Sequence, residues 1–503
     1  MSRFNPELLP ASFVPFASSS AFTKKERTLI PEKEKSENVV YLHSIPSLFD
    51  ELKITDGMTL SFHHHLRNGD YVFNMVMEEI KRRNLKNIHL APSAIFPNNQ
   101  GLSELIENSN VTNITTNYLN GPVAETIGQG KMQGLLIMDT HGGRARAIES
   151  GDLKIDVAIL STPAVDHLGN GNGIEGPSAC GSLGYAISDL KYAKKVVLVT
   201  DYVIDSLKRV DFPNEYVDYV VKLDKIGDPK GIVSGTTKIT KDPIGLKIAR
   251  NTVKLLDELG FIKEGLSMQT GAGGTSLAVA QYVKEKMQEK QIKGSFASGG
   301  ITGYIVDMLK EGLFEKLYDV QCFDLQAVKS IKTNPSHIPM SASVYANPFD
   351  PKVIVDKLDF VILGATEIDT NFNVNVTTDS KGLIIGGSGG HSDTAFGAKV
   401  TIITSSLIKS RLPIIKDKVT IITTPGEDVD ILVTERGIAI NPKRTDLLQK
   451  LTNSKLKIVP IEKLLETSHK ITGEPNRIEL KNKVIGLVRY RDGAIIDLLY
   501  QYK

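Results

Sequence analysis

The chain has 503 residues, with 60 Lys and Arg against 58 Asp and Glu, a formal charge of +2. That balance argues against a nucleic-acid binder, which carries a basic excess or a basic face, and no apolar run of about 18 residues marks a membrane span. The two cysteines, Cys180 and Cys322, are far apart, which excludes a disulfide scaffold or a CxxC zinc or redox centre and fits a reducing cytoplasm.

Residues 1–45 are polar and charge-rich and read as an N-terminal extension that docks on the body or stays partly disordered. The segment lacks the continuous apolar core of a secretory signal. From residue 46 onward, short β-branched runs alternate with amphipathic stretches. NIHLA, DVAILST, KVVLVTD, DYVVKLD, LDFVILGA, KVTIIT, KVTIITT and VDILVT are apolar nearly throughout, as strands buried on both faces are. NMVMEEIKRR, DPIGLKIARNTVKLLDEL and SLAVAQYVKEKMQEK carry apolar residues at helical spacing. The alternation predicts an α/β protein with mostly parallel sheets.

An internal repeat organises these elements. IDVAILSTPAVDHLGNGNG from Ile155 matches LDFVILGATEIDTNFNVNV from Leu358 at an offset of 203 (358 − 155), with six of nineteen pairs identical. Gly57 lies over Gly265 and Val196 over Val400 at similar offsets, and VDYVV matches VDILV. Blocks in one order at nearly the same spacing imply two copies of an α/β unit. The boundary falls in the Gly-, Pro- and Thr-rich stretch 228–243, giving an extension 1–45, a first domain 46–235 and a second 236–503.

The copies differ in glycine. The second has TGAGGTS (Thr270–Ser276) before a helical stretch and GGSGGHSD (Gly386–Asp393). Clustered glycines let backbone N–H groups close on an anion, though isolated tight turns would use the same residues. Neither matches GxGxxG or GxxxxGK[ST], so nicotinamide and P-loop chemistry are disfavoured. The first copy has SFHHHLRNGD (Ser61–Asp70) and HGGRAR (His141–Arg146). Neighbouring side chains diverge in regular structure, so three consecutive histidines do not make a metal site; the plain reading is one buried histidine and two solvated ones. The functional reading is a polar pocket for a polycarboxylate, with arginine meeting carboxylate bidentately. Glu367 and Asp369 follow an apolar strand, where α/β sites usually lie. Neither a GxSxG elbow nor a cysteine in catalytic context supplies a nucleophile.

Taken with HGGRARAIESGDLKIDVAIL, CGSLGYAI, GGITGYIVDMLKEGL, SGGHSDTA, TPGEDVDILVTERGIAINP, ITGEP and VRYRDGAIIDLLYQ, these stretches resemble the citrate lyase alpha-chain family from about residue 40 to the C-terminus. The resemblance implies a CoA-transferase fold, with two similar domains facing each other across one active site. It implies the reaction citrate + acetyl-S-ACP → citryl-S-ACP + acetate. The acetyl thioester would be that of acetyl-CoA or of the phosphoribosyl-dephospho-CoA group on the acyl-carrier (gamma) subunit, and the lyase (beta) subunit and further copies of the chain would be partners. Related transferases that form a glutamyl thioester carry their nucleophile at a position that falls near Gly299, yet Ser298 to Ile305 holds no carboxylate. Direct transfer through a mixed anhydride is the expected route, and no metal is expected in the chain.

In that reading Gly389 and Gly390 supply oxyanion N–H groups within a loop that includes Gly386, Gly387 and Ser388. Gly271, Gly273 and Gly274 hold the prosthetic arm. His63, His64, Arg67, His141 and Arg144 bind citrate carboxylates, and Glu367 and Asn373 orient the thioester or shape the pocket. The alternatives are an acyl-CoA hydrolase, a transferase for a related acid such as citramalate, a non-catalytic CoA-sensing subunit and a metal-dependent histidine-cluster enzyme.

Overall fold

The computed structural model describes residues 4–19, 29–233, 238–271, 273–475 and 480–502. Two large sheets organise it. The first runs Val40–Leu42, Tyr219–Lys222, Lys195–Thr200, Val157–Ser161, Thr59–Phe62, Ile88–Pro92, Val111–Thr116, Leu136–Met138, Val484–Arg489, Ile495–Tyr500. The second runs His337–Pro339, Phe314–Cys322, Gly294–Ile301, Ser267–Thr270, Phe360–Leu363, Val400–Thr404, Ile431–Val433, Ile438–Ile440. Every pairing in both is parallel except the last, which is a hairpin. The expected α/β class with mostly parallel sheets is therefore what the chain adopts.

The duplication is visible in topology. Leaving out the Val40–Leu42 edge strand and the hairpins, the strands of each sheet sit in the same spatial sequence, with the first strand of the copy between the fifth and the second. The register repeats too: Ala164 pairs with Asn172 in one side sheet, and Glu367 with Asn375 in the other. The turns between them use one device. The Asp166 carboxylate accepts the Leu168 and Asn170 N–H groups, and Asp369 accepts those of Asn371 and Asn373. Such Asx turns explain why the repeat is strongest in these short segments.

The predicted helices form at Val72–Arg83, Pro243–Glu258 and Gly274–Lys290. The second starts at a Pro with Asp242 as its cap, the Asp242 side chain accepting the Gly245 N–H. Their apolar faces cover the sheets and close a core that joins residues of both units.

Two sequence expectations change. KVTIITT (418–424) is not a strand: Val419 and Thr420 donate to the Asp369 and Glu367 carboxylates and Ile422 to Asp497, so side chains take the N–H groups a ladder would use. The C-terminal strands, placed in the expected domain 236–503, complete the first sheet, where Val484–Arg489 pairs with Leu136–Met138. The division at residue 235 itself lies outside the described residues. The described parts of the extension dock on the body, as one of the two expected outcomes: Phe16 donates to Ile495 and Ile30 to Glu149, Val40–Leu42 adds an edge to the first sheet, and Ser18 and Ser19 donate to Glu427 of the second unit.

Candidate active site

The loops at the C-terminal ends of the two sheets' strands face each other. Thr59–Phe62 leads into His63–His65, and its counterpart Ser267–Thr270 leads into Gly271–Gly274. The units are joined there by backbone and side-chain bonds. His141 N–H donates to the Gly389 oxygen (2.8 Å), Gly389 N–H to Asn117 O (3.2 Å) and Leu119 N–H to Gly386 O (3.3 Å). The Gln321 amide donates to His64 O at 2.8 Å, and the Ser182 hydroxyl to Asp319 O at 2.7 Å.

All three consecutive histidines are buried, not one of three, because the chain leaves the strand after Phe62 and turns back under the second unit. His63 and His65 join through their Nδ1 atoms. His64 Nδ1 meets the Ser93 hydroxyl at 2.6 Å, and its ring stacks 4.7 Å from Tyr185, with His141 beyond at 6.0 Å. Burial pushes His63 and His141 down to about 3 and His64 and His65 well below the ordinary imidazole range. These rings are neutral at physiological pH, so they bring hydrogen-bonding atoms to the cleft and no positive charge. They are also not the metal-type cluster: among the described residues, Asp319, Cys322 and His337 are the trio close enough to share an ion, and their side chains already bond one another.

The two expected citrate arginines part company. Arg144 is buried, and its guanidinium forms two bonds of 2.8 Å to the Asp189 carboxylate and others to Ser61 and Ala91 O. These bonds stay inside the first unit and pair its charge with Asp189, although its buried Nε is unbonded, so its expected place at citrate is corrected to a structural one. Arg67 forms no ion pair among the described residues. It sits in the left-handed region at φ 52° between the Phe96 and Phe323 rings, 5.5 and 5.1 Å from their centroids, with its buried Nε unbonded. Phe96 packs on Tyr118, and Tyr118 lies 3.7 Å from where a Gly386 β-carbon would stand. Arg67 thus borders the glycine loop of the other unit.

That loop is built around glycine for steric reasons. A β-carbon on Gly387 would stand 2.3 Å from Asn117 O, and one on Gly390 2.4 Å from the Tyr345 hydroxyl; Gly389 has φ +51° beside His141. The Gly389 N–H is committed to Asn117, which corrects its expected part as an oxyanion donor. The N–H groups of Gly387, Ser388 and Gly390 make no backbone bond among the described residues, and both Gly387 and Gly390 are partly exposed. Gly271 and Gly274 are partly exposed and Gly273 exposed, at the start of a 17-residue helix with no side-chain cap. An uncapped helix start of that length suits a phosphate.

Glu367 and Asn373 do not shape the cleft. Glu367 is buried, accepting the Thr420 N–H (2.8 Å) and the Asn375 amide (3.0 Å), and Asn373 closes the Asp369 turn and accepts Gly426 N–H. Gly299 and Gly300 leave no room for a side chain: a β-carbon on Gly299 (φ +104°) would meet the Gln269 side chain at 2.6 Å, and one on Gly300 the Phe323 ring at 2.2 Å. Sequence reasoning passed over Tyr118, Tyr185, Gln321, Tyr345 and Asp393. Only Asp393 carried a signal, its place directly after the glycine run.

Comparison with known proteins fits this geometry. The family model described as "Citrate lyase, alpha subunit (CitF)" matches residues 41–502. The citrate lyase alpha chain of Haemophilus influenzae is 44% identical over 491 residues, covering 97% of this chain and 96% of its own. That of Escherichia coli is 45% identical over 451 residues, covering 90% and 88%. A crystal structure of the alpha subunit of citrate lyase from Streptococcus mutans in complex with citrate superposes with a TM-score of 0.93 at 44% identity, over 96% of both chains. A Pseudomonas malonate decarboxylase shares the fold alone, at a TM-score of 0.61 and 15% identity over 85% and 86% of the chains.

Proposed function

The chain belongs to the citrate lyase alpha subunit family, and from that premise we propose that it is a citrate CoA-transferase, exchanging citrate for acetate on the thioester of an acyl-carrier subunit. The observation that carries this reading is the pairing of Arg67, which forms no ion pair among the described residues, with a glycine loop whose Gly387, Ser388 and Gly390 N–H groups make no backbone bond there. Carboxylate and thioester are the two groups such walls recognise. The solved relative's bound citrate supports the choice of acid.

The steps follow from what the cleft offers. Arg67 holds one citrate carboxylate while another attacks the acetyl thioester carbonyl. The Gly387, Ser388 and Gly390 N–H groups take the developing oxyanion, the C–S bond breaks, and thiolate leaves a mixed citryl–acetyl anhydride. Thiolate then attacks the citryl carbonyl and acetate departs, so no enzyme carboxylate is consumed. Holding both reactants in attack geometry contributes roughly 7–11 kcal/mol. Each oxyanion donor contributes about 2.7–4 kcal/mol. Gly271, Gly273 and Gly274 hold the phosphate-bearing arm of the carrier or of acetyl-CoA. His63, His64 and His141 offer neutral hydrogen-bonding atoms to the bound acid.

The chain would work with lyase (beta) and acyl-carrier (gamma) subunits, as one of several copies, a reading that the relatives' name, citrate lyase alpha chain, supports only as far as an alpha subunit of a larger enzyme. No helix among the described residues is long and apolar enough to cross a membrane, in keeping with a cytoplasmic complex. Acetate release from acetyl-CoA tests the reading, run with citrate, with citramalate and without acid. Citrate-dependent release supports it. A preference for citramalate would move the specificity, and release without acid would make the chain a hydrolase.

A further inference from the structure

Thr140 and Gly142 flank His141 at the start of the helix His141–Glu149 in the first unit. Both donate to one carboxylate of the second unit. The Thr140 hydroxyl reaches Asp393 Oδ1 at 2.9 Å, and the Gly142 N–H reaches Oδ2 at 2.9 Å. Asp393 is fully buried on the helix that directly follows the glycine loop. On its other side stands Arg491, from the turn of the C-terminal hairpin, with Nε 3.5 Å from Oδ1. The Arg491 guanidinium also donates to Ala346 O at 3.2 Å and lies 4.7 Å over the Phe396 ring. The approach is close enough that Gly142 tolerates no side chain, since a β-carbon would stand 2.0 Å from Ala346 O.

We propose that Asp393, backed by Arg491, is a positioning residue for transfer: it clamps the two units so that His141 and the Gly387–Gly390 N–H groups hold their attack geometry. The inference rests on the function proposed above. A carboxylate suits the place because a helix N-terminus attracts negative charge and both donors need an acceptor. An amide would turn an N–H donor toward one of them. Arg491, Tyr185 and Tyr345 are the titratable or charged groups that face Asp393 among the described residues. Burial holds its carboxyl up at about 6, so the clamp opens where Asp393 takes a proton.

The test compares Asp393→Asn with the wild type in the full chain. Acetate release should show kcat lowered at least tenfold, the citrate KM within about threefold, and the acid limb of kcat near pH 6 lost in the variant. Amide hydrogen exchange of segments 140–145 and 386–392 reads the same clamp without turnover, and should rise at least tenfold in the variant. A wild type that exchanges slowly but turns over no citrate would count against the function, while the exchange result still decides the clamp. Exchange and kcat both at wild-type levels would overturn the proposal. If Asp393→Asn does not fold, Thr140→Val decides against Thr140→Ser, which keeps the hydroxyl. The proposal expects faster exchange in Val alone, and equal exchange in the pair overturns it.

Discussion

The backbone N–H of His141 donates to the carbonyl oxygen of Gly389 at 2.8 Å, so one residue from each unit forms the floor of the cleft. A glycine loop held this way has no slack, and its substitutions should act on rate more than on folding. Gly390→Val drives side-chain carbon into the Tyr345 hydroxyl, and Gly389→Pro both forbids φ +51° and removes the bond to Asn117. We expect kcat to fall about 10²–10³-fold in each, with unchanged circular dichroism. Normal turnover in both would sink the loop assignment.

Arg67 is the group expected to select citrate. Arg67→Ala should raise the citrate KM about 10–100-fold, the range of a charged hydrogen bond, and leave the acetyl-CoA KM nearly unchanged. Arg67→Lys should recover only part of the loss, because an ammonium does not stack between Phe96 and Phe323 as a guanidinium does. Equal effects on both KM values would make Arg67 a support for the fold.

Arg144 carries the opposite expectation. Arg144→Met strands the buried Asp189 carboxylate, a loss of about 3–5 kcal/mol. It should show as a lower thermal midpoint and lower soluble yield, with the citrate KM of the surviving enzyme near that of the wild type. A stable variant with a raised citrate KM would return Arg144 to the binding site.

Direct transfer predicts that borohydride or hydroxylamine added during acetyl-CoA turnover leaves no modified glutamate. The side chains of Gln269 and Phe323 occupy the ground beside Gly299 and Gly300. A trapped adduct at any glutamate, Glu367 included, would disprove the anhydride route.

Acid should destabilise the fold. His63, His64, His65, His89, His141 and His391 all have lowered pKa values, so unfolding takes up protons below the ordinary imidazole value near 6.5. Each such site costs about 1.4 kcal/mol per pH unit below that value. Asp70, Asp393 and Asp428, held up at about 6, act in the opposite sense and offset part of it. The thermal midpoint should therefore fall from pH 7 to pH 5. A midpoint that rises over this range would mean that the histidines are charged in the folded state.

The strand and helix runs, the duplication and the two glycine loops were legible in the sequence because each is written within a short window. Burial on both faces makes an unbroken apolar run, and a sharp turn demands glycine wherever it occurs. KVTIITT shows the limit of that reading. Its composition is that of a strand, but carboxylates from Asp369, Glu367 and Asp497 reach its N–H groups first.

By itself the sequence determined two α/β units, the place of their loops and the family they resemble. Tertiary structure decided which charges remain for chemistry. HGGRAR and SFHHHLRNGD each offered an arginine of equal promise, and only the fold brings Asp189 to Arg144 while leaving Arg67 between two aromatic rings. It likewise neutralised the histidines by burial and returned the C-terminal hairpin to the first sheet, with Arg491 beside Asp393. An apolar pattern is a property of neighbours in sequence. The charge available at a site depends on desolvation and on partners that distant segments supply.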